Sequence, residues 1–373
     1  MPRTVSERLR RLWLNLHLWL GVGLLLVLAP LGVSGSILVW HDPLDRTLHA
    51  ERYAVSRGAE RPMAVYATAA RQAFVGRAAL MQIRAPAAPG DPVVAVGRIV
   101  GPPGAGGRPR TLNAWIDPPT GRVLATAEVA RGFTMVLHRF HGSLLAPGVG
   151  RKIVGWLGWA LFASSATGLW LWWPRRGSLL RALHWRRGAS QLFNLHHAMG
   201  FWLCLPLAVL SLTGVVIAFP QMAQRVIAPD APPTAQRPRD AAPPLAAPGT
   251  ALAEALGAAQ RLCPNARVAA VNWPQAGRHP TWRIELRSAP APTTVTVDDA
   301  SGRAEAAARR RQGPDPRLAW LRGVHDGSRL GPVWRGVICI AGLAPALLGF
   351  TGLIMWLRRR GRERRLRDSV AGK

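Results

Sequence analysis

The sequence predicts a mainly α-helical membrane protein. Its four transmembrane helices form two parallel span–outer domain–span repeats, each with a small α+β domain outside the bilayer. Three observations carry this prediction. Four long apolar runs, Leu12–Trp40, Ile153–Trp173, Leu192–Phe219 and Val337–Leu357, contain no Asp, Glu, Lys or Arg. Each is long enough to cross a hydrocarbon core of about 30 Å at about 1.5 Å per residue. Arginines cluster beside the runs, and the two halves of the chain repeat one another.

The elements follow in order. Residues 1–41 hold a basic N-terminus (Arg3, Arg8, Arg10, Arg11) and the first span, whose long apolar run reads as a signal anchor. Residues 42–150 form the first outer domain and the lead-in to the second span, 151–173. A basic loop, 174–190, carries Arg175, Arg176, Arg181, Arg186 and Arg187. The third span covers 191–219, the second outer domain 220–333, the fourth span 334–357 and a basic tail 358–373. Arginine-rich flanks face the cytoplasm, so both termini lie inside and both long links outside. This topology accounts for much of the net charge of +29, so nucleic acid is not expected as a partner. The charge-free runs exclude a soluble globule and a disordered chain. Cys204 and Cys339 lie in spans and Cys263 in the second link, so no disulfide forms within an outer domain.

The repeat is legible residue by residue. Asn15-Leu16-His17 aligns with Asn194-Leu195-His196 at an offset of 179, which also aligns Ser34-Gly35 with Thr213-Gly214. An offset of 184 aligns Thr167-Gly168 with Thr351-Gly352, His141 with His325 and Arg151 with Arg335. In the outer links, helices over Met63–Phe74 and Thr250–Leu262 precede strands over Ala79–Arg84, Val93–Val100, Leu112–Ile116, Val268–Trp273, Trp282–Arg287 and Thr293–Val297. Asp117–Arg122 matches Asp298–Arg303, and each reads as a hairpin turn with glycine supplying positive φ. Neither domain shows a nucleophile–base constellation.

The candidate site residues are histidines and glycines. His17 and His196 lie at one membrane level, and His141 and His325 at the other. Each level offers imidazoles from two helical elements, as bis-imidazole ligation of a haem iron requires. Two stacked haems per bilayer follow. Gly21 and Gly200 share the histidine face one turn on, leaving room for a flat macrocycle. Gly35 and Gly214 lie eighteen residues beyond His17 and His196, level with the outer histidines, about 27 Å away along the helix. Gly168 and Gly352 lie level with the inner histidines. His197 is the weakest member of the inner group, pointing about 100° from His196 on a helix, and His138, one turn before His141, is an alternative outer ligand. Arg151 and Arg335 are candidates for haem propionates or an anionic chelate. His41, His49, His184 and His279 read as surface or interfacial residues, and the span-end tryptophans as an aromatic belt.

His138-Arg-Phe-His141-Gly-Ser-Leu-Leu, Gly150-Arg-Lys-Ile-Val-Gly155 and Thr167-Gly-Leu-Trp-Leu-Trp-Trp-Pro-Arg175, with Val324-His325-Asp326-Gly327 and Thr351–Trp356, resemble the PepSY-associated transmembrane helix family. Its members include iron-regulated inner-membrane proteins of the PiuB and FoxB type. The resemblance extends over nearly the whole chain, with outer domains that look PepSY-like. It implies a Gram-negative inner membrane, two haem b groups on His17, His196, His141 and His325, and reduction of a periplasmic ferric siderophore. The electron would come from a cytoplasmic donor or a quinol. No flavin or nicotinamide domain is expected within these 373 residues. The alternatives are a siderophore or solute permease, against which no broken helix or midplane charge is evident, and a non-redox PepSY membrane sensor, which leaves the membrane histidines unexplained.

Overall fold

A computed structural model describes residues 5–102, 104, 109–174, 188, 190–230, 242–287, 293–306 and 315–371. The basic loop expected at 174–190, with His184, lies almost wholly outside the described residues, as do Arg3 and residues 231–241. The chain divides into two units: residues 1–41, 137–232 and 314–373 in one, and 42–136 and 233–313 in the other.

The first unit is built from the apolar runs. An uninterrupted run must satisfy its backbone internally when water is absent, and the helix does so. Among the described residues, four helices are long and apolar enough to cross a membrane: α1 (Val5–Leu38), α5 (Gly150–Trp172), α6 (Gln191–Ala218) and α10 (Gly331–Ala371). Two of them outrun the expected spans. α1 begins seven residues before Leu12, and α10 carries the basic tail on as continuous helix past Leu357. Proline closes two helices: Pro174 follows the end of α5, and Pro220 ends α6 while opening the short α7 (Pro220–Ile227) at a position that needs no N–H. Pro30, Pro206 and Pro345 lie inside helices that continue through them.

Small residues bring the spans together. α1 packs along α10 and α5 along α6. Gly32 of α1 meets the Gly342 carbonyl so closely that no Cβ fits between them, and Ser36 Oγ donates to the Cys339 carbonyl at 2.7 Å. Gly155 of α5 receives the Phe219 ring. This is the backbone approach that small residues permit in lipid, where dispersion rather than hydrophobic burial drives association. Large apolar side chains on the outer faces, such as Leu26 at 85% exposure, are left for lipid contact.

Two shorter helices of this unit matter for the site. α4 (Phe133–Ser143) precedes α5, and α9 (Pro316–Asp326) precedes α10. Asp315 caps α9 by accepting from the Arg317 N–H at 2.9 Å. The α4–α5 link turns through Leu144 and Leu145, both at positive φ (50° and 56°), and the α9–α10 link through Gly327 and Gly331.

The second unit holds the short α2 (His41–Leu48), whose first residue falls in the bundle, with α3 (Met63–Phe74), α8 (Leu252–Leu262) and eight strands. These are β1 (Ala78–Arg84), β2 (Val93–Ile99), β3 (Thr111–Ile116), β4 (Val123–Ala127), β5 (Arg267–Asn272), β6 (Thr281–Arg287), β7 (Thr293–Asp298) and β8 (Ala304–Ala306). They form one antiparallel sheet in the order β4-β3-β2-β1-β5-β6-β7-β8. Two separate small domains were expected, but the links share this sheet. β1 pairs with β5 through Gln82–Asn272, Ile83–Val271 and Arg84–Ala270, with Gln82 Nε2 donating to Asn272 Oδ1 at 2.9 Å. One continuous core follows, with Tyr66 and Phe74 of α3, Ala255 and Ala259 of α8, and Ile83, Val271, Trp282 and Ile284 of the sheet. The hairpin turns form as expected: Gly121 and Gly302 adopt φ of +75° and +66°, and their N–H groups donate to Asp117 and Asp298.

Candidate functional site

The four aligned histidines meet in two pairs. His17 of α1 faces His196 of α6 with ring centres 6.4 Å apart and planes at 83°. His141 of α4 faces His325 of α9 at 6.2 Å and 46°. The members of each pair come from sequence positions more than 170 residues apart. The outer histidines lie not on spans but on short helices that rest against them.

Each ring is fixed the same way. His17 Nδ1 lies 3.1 Å from the Ser164 carbonyl and 3.2 Å from Thr167 Oγ1 of α5. His196 Nδ1 lies 2.8 Å from Thr351 Oγ1 of α10, with the Leu348 backbone beside it. His141 Nδ1 lies 2.9 Å from the Leu31 carbonyl and 3.1 Å from Ser34 Oγ of α1. His325 Nδ1 lies 3.1 Å from the Leu210 carbonyl and 3.0 Å from Thr213 Oγ1 of α6. A backbone carbonyl accepts only from a protonated nitrogen, so the proton belongs on Nδ1 and the lone pair on Nε2. Holding a histidine by its other nitrogen is how proteins orient a metal-ligating imidazole.

The four hydroxyls were missed in the sequence reading, although their signal was present. Ser34, Thr167, Thr213 and Thr351 each directly precede one of the candidate glycines. In each case the hydroxyl bonds back to its own helix, for example Thr213 Oγ1 to the Val209 carbonyl at 2.7 Å. From that place it can also meet an imidazole.

The glycines divide into two kinds. At Gly35 an added Cβ would lie 2.8 Å from His141 Cε1, at Gly168 3.0 Å from His17 Cε1, at Gly214 3.2 Å from His325 Cε1 and at Gly352 3.6 Å from His196 Cε1. These four lie against an imidazole, whereas all six glycines were expected to line the cofactors. An added Cβ at Gly21 or Gly200 would meet nothing within 4 Å, so the space beside the inner pair is open there.

The remaining candidates lie to the side. His138 is exposed, one turn from His141, and is not in either facing pair. His197 packs against the Phe193 ring at 4.2 Å between centres. Arg151 is exposed, while Arg335 is half-buried and donates from Nε to the Gly327 carbonyl at 3.3 Å. His41 is exposed, with Nδ1 2.9 Å from the Leu38 carbonyl. Among the described residues, no group of three or more His, Cys, Asp or Glu is placed to hold a metal ion. Each pair thus offers two imidazoles, one from each half of the chain, and no further ligand of these types among the described residues.

A family model described as PepSY-associated TM region matches residues 14–359, which takes in all four histidines. No curated protein matches the chain.

Proposed function

Since this chain belongs to the PepSY-associated TM region family, we propose that it is a di-haem transmembrane electron conduit of a bacterial inner membrane, delivering electrons to a ferric siderophore outside. The observation that carries this reading is the spacing of the two imidazole pairs. Two iron–nitrogen bonds of about 2 Å, with about 1.1 Å from nitrogen to ring centre on either side, set opposed ligands about 6.2 Å apart. The pairs stand at 6.4 and 6.2 Å.

The residues present fit a haem b at each level. His17 and His196 would hold the inner group, with Gly21 and Gly200 leaving space beside them; His141 and His325 would hold the outer group. When bound, such groups supply reversible one-electron Fe(III)/Fe(II) chemistry, and two imidazoles favour electron transfer over oxygen binding. The Nδ1–H bonds to the Ser164, Leu31 and Leu210 carbonyls, and to the Thr351 hydroxyl for His196, keep the rings in one orientation and make Nε2 more basic. The net reaction is transfer of one electron to a chelated Fe(III), giving Fe(II), which siderophores hold far less tightly. Arg151 and Arg335, at the outer ends of α5 and α10, would draw an anionic chelate or propionates.

The repeat reading supports the same conclusion. The two halves supply one histidine to each pair, and the strand order is palindromic about the β1–β5 seam. Tandem duplication with parallel repeats accounts for both. Both termini then face the cytoplasm and the sheet unit the periplasm.

The test is spectroscopic. Detergent-purified protein should carry two haems per chain, with a Soret band that shifts on dithionite reduction. His17→Ala or His196→Ala should lower haem content by about half and stop the natural donor from reducing the outer haem. Full haem content in all four single alanine variants would overturn the ligand assignment. Colourless protein from haem-replete cells would favour the permease or the sensor.

A further inference from the structure

We infer that the arginine-rich ends of α1 and α10 form a docking surface for an acidic, soluble one-electron donor protein; this deepens the proposed function and rests on it. α1 and α10 run antiparallel, as three successive contacts show: Gly32 against Gly342, Gly349 against Leu25, and Trp19 against Trp356 at 6.3 Å between ring centres. Continuing that progression brings Arg8, Arg10 and Arg11 of α1 alongside the stretch 362–367 of α10, where the seven arginines between 358 and 367 end. The side chains of these ten arginines are exposed. The acids on the same two helix ends are Glu7, Glu363 and Asp368, and Glu363 is taken by Arg359 at 2.9 Å. Arg360 lies over the Trp356 ring at 4.5 Å, at the foot of the projection.

Reach separates a protein partner from the lipid surface. α10 is unbroken to Ala371. Arg364, Arg365 and Arg367 therefore rise about 10–15 Å past Leu357 at 1.5 Å per residue. The headgroup layer is only about 5–8 Å thick, and salt screens charge beyond about 8 Å. Headgroups can touch Arg358 to Arg362 directly, whereas Arg364, Arg365 and Arg367 rise past the headgroup layer, where a protein in solution can meet them. Helical spacing puts Arg358, Arg362 and Arg365 on one face, at i, i+4 and i+7, with neither acid of the tail on it. The projection stands at the same end of the bundle as the His17–His196 pair, where electrons must enter. Redox partners meet through small, charge-steered interfaces, and ten arginines against three acids supply such a field.

The test uses full-length protein in nanodiscs of neutral lipid, with a plant-type [2Fe–2S] ferredoxin as the acidic probe. Binding is expected at low salt, weakened at least about tenfold by about 0.5 M salt. The R362Q/R364Q/R365Q/R367Q variant, which keeps Arg358 to Arg360 for topology, should bind at least about tenfold more weakly. Unchanged binding by that variant, or no salt-sensitive binding by the native chain, overturns the proposal. So does loss of ferredoxin binding in nanodiscs containing about one-third anionic lipid, which would give the arginines to headgroups. Preferential binding of a short DNA duplex that displaces ferredoxin overturns it as well. Docking does not need haem, so the H17A/H196A chain should bind ferredoxin like the native one. Colourless protein that still binds ferredoxin refutes the haem reading alone. Haem-loaded protein that does not bind it refutes this inference alone.

Discussion

At the scale of single residues, the site is a matter of which nitrogen is free and which hydrogen is missing. Four imidazoles in an apolar bundle are held by Nδ1 to a neighbouring helix and by a bare glycine at their backs. The glycines should not respond alike to a methyl group. Gly35→Ala would drive a Cβ to 2.8 Å from His141, whereas Gly352→Ala would stop at 3.6 Å from His196, an ordinary contact. Gly35→Ala is expected to cut outer-site haem affinity by about tenfold or more, as misplacing a ligand does, with Gly352→Ala near native. Haem titration of the two variants checks this, and equal affinities would refute the packing argument. His17 and His196 were legible in the sequence because a polar ring inside a charge-free run stands out, and His141 and His325, which lie outside the runs, because the repeat aligns them. Ser34, Thr167, Thr213 and Thr351 were not, since a small hydroxyl on a span ordinarily bonds its own helix and reads as packing.

At the scale of elements, the helices could be read because length and hydropathy decide a span. Their ends could not: basic residues on a helix leaving the bilayer look like an unstructured tail, and nothing local marks the continuation of α10 to Ala371. β4 escaped notice because Val-Leu-Ala-Thr-Ala lacks a clean polar–apolar alternation, and β8 because three residues are too few to show one. The β1–β5 pairing joins residues nearly two hundred positions apart, and a sheet edge carries no label for its partner. The paired turns show what fixes the sheet unit. Asp117 is wholly buried and accepts from the Ser56 N–H at 2.9 Å and the Thr120 hydroxyl at 2.5 Å. Burial alone would raise its pKa, but these hydrogen bonds outweigh it and hold the carboxyl below the usual carboxylate range. A depressed folded-state pKa means that the stabilisation is complete above the unfolded value and is lost as pH falls through the folded one. Asp117→Ala, which strands both donors, should cost about 2–4 kcal/mol near neutral pH, with the difference shrinking on acidification. Denaturant unfolding followed by tryptophan fluorescence measures it, and a pH-independent difference would contradict the charge argument.

At the scale of the whole molecule, an even number of crossings returns the chain to the side it left. With four spans, both ends are expected on the cytoplasmic face and the sheet unit on the other. Placing single cysteines at Glu60 and Lys373, in a chain whose three native cysteines are alanine, tests this. A membrane-impermeant maleimide applied to spheroplasts should label the first and spare the second; labelling of both would overturn the topology. The family match and the four spans could be anticipated from the sequence, because both rest on local motifs and composition. The sharing of one sheet by the two links could not, because it depends on how distant segments meet.

The stitching of the histidines bears on how such a device arises. His17 is tied to α5 and His141 to α1, while His196 is tied to α10 and His325 to α6. Every tether thus stays within its own half of the chain, while the facing of the rings, the packing of α1 on α10 and α5 on α6, and the β1–β5 pairing join the halves. A half-length ancestor would already have owned one complete set of anchors. Two copies of it, meeting through their free sheet edges, would have closed both sites as a symmetric homodimer, with gene fusion needed afterwards only to let the two surfaces of the molecule diverge.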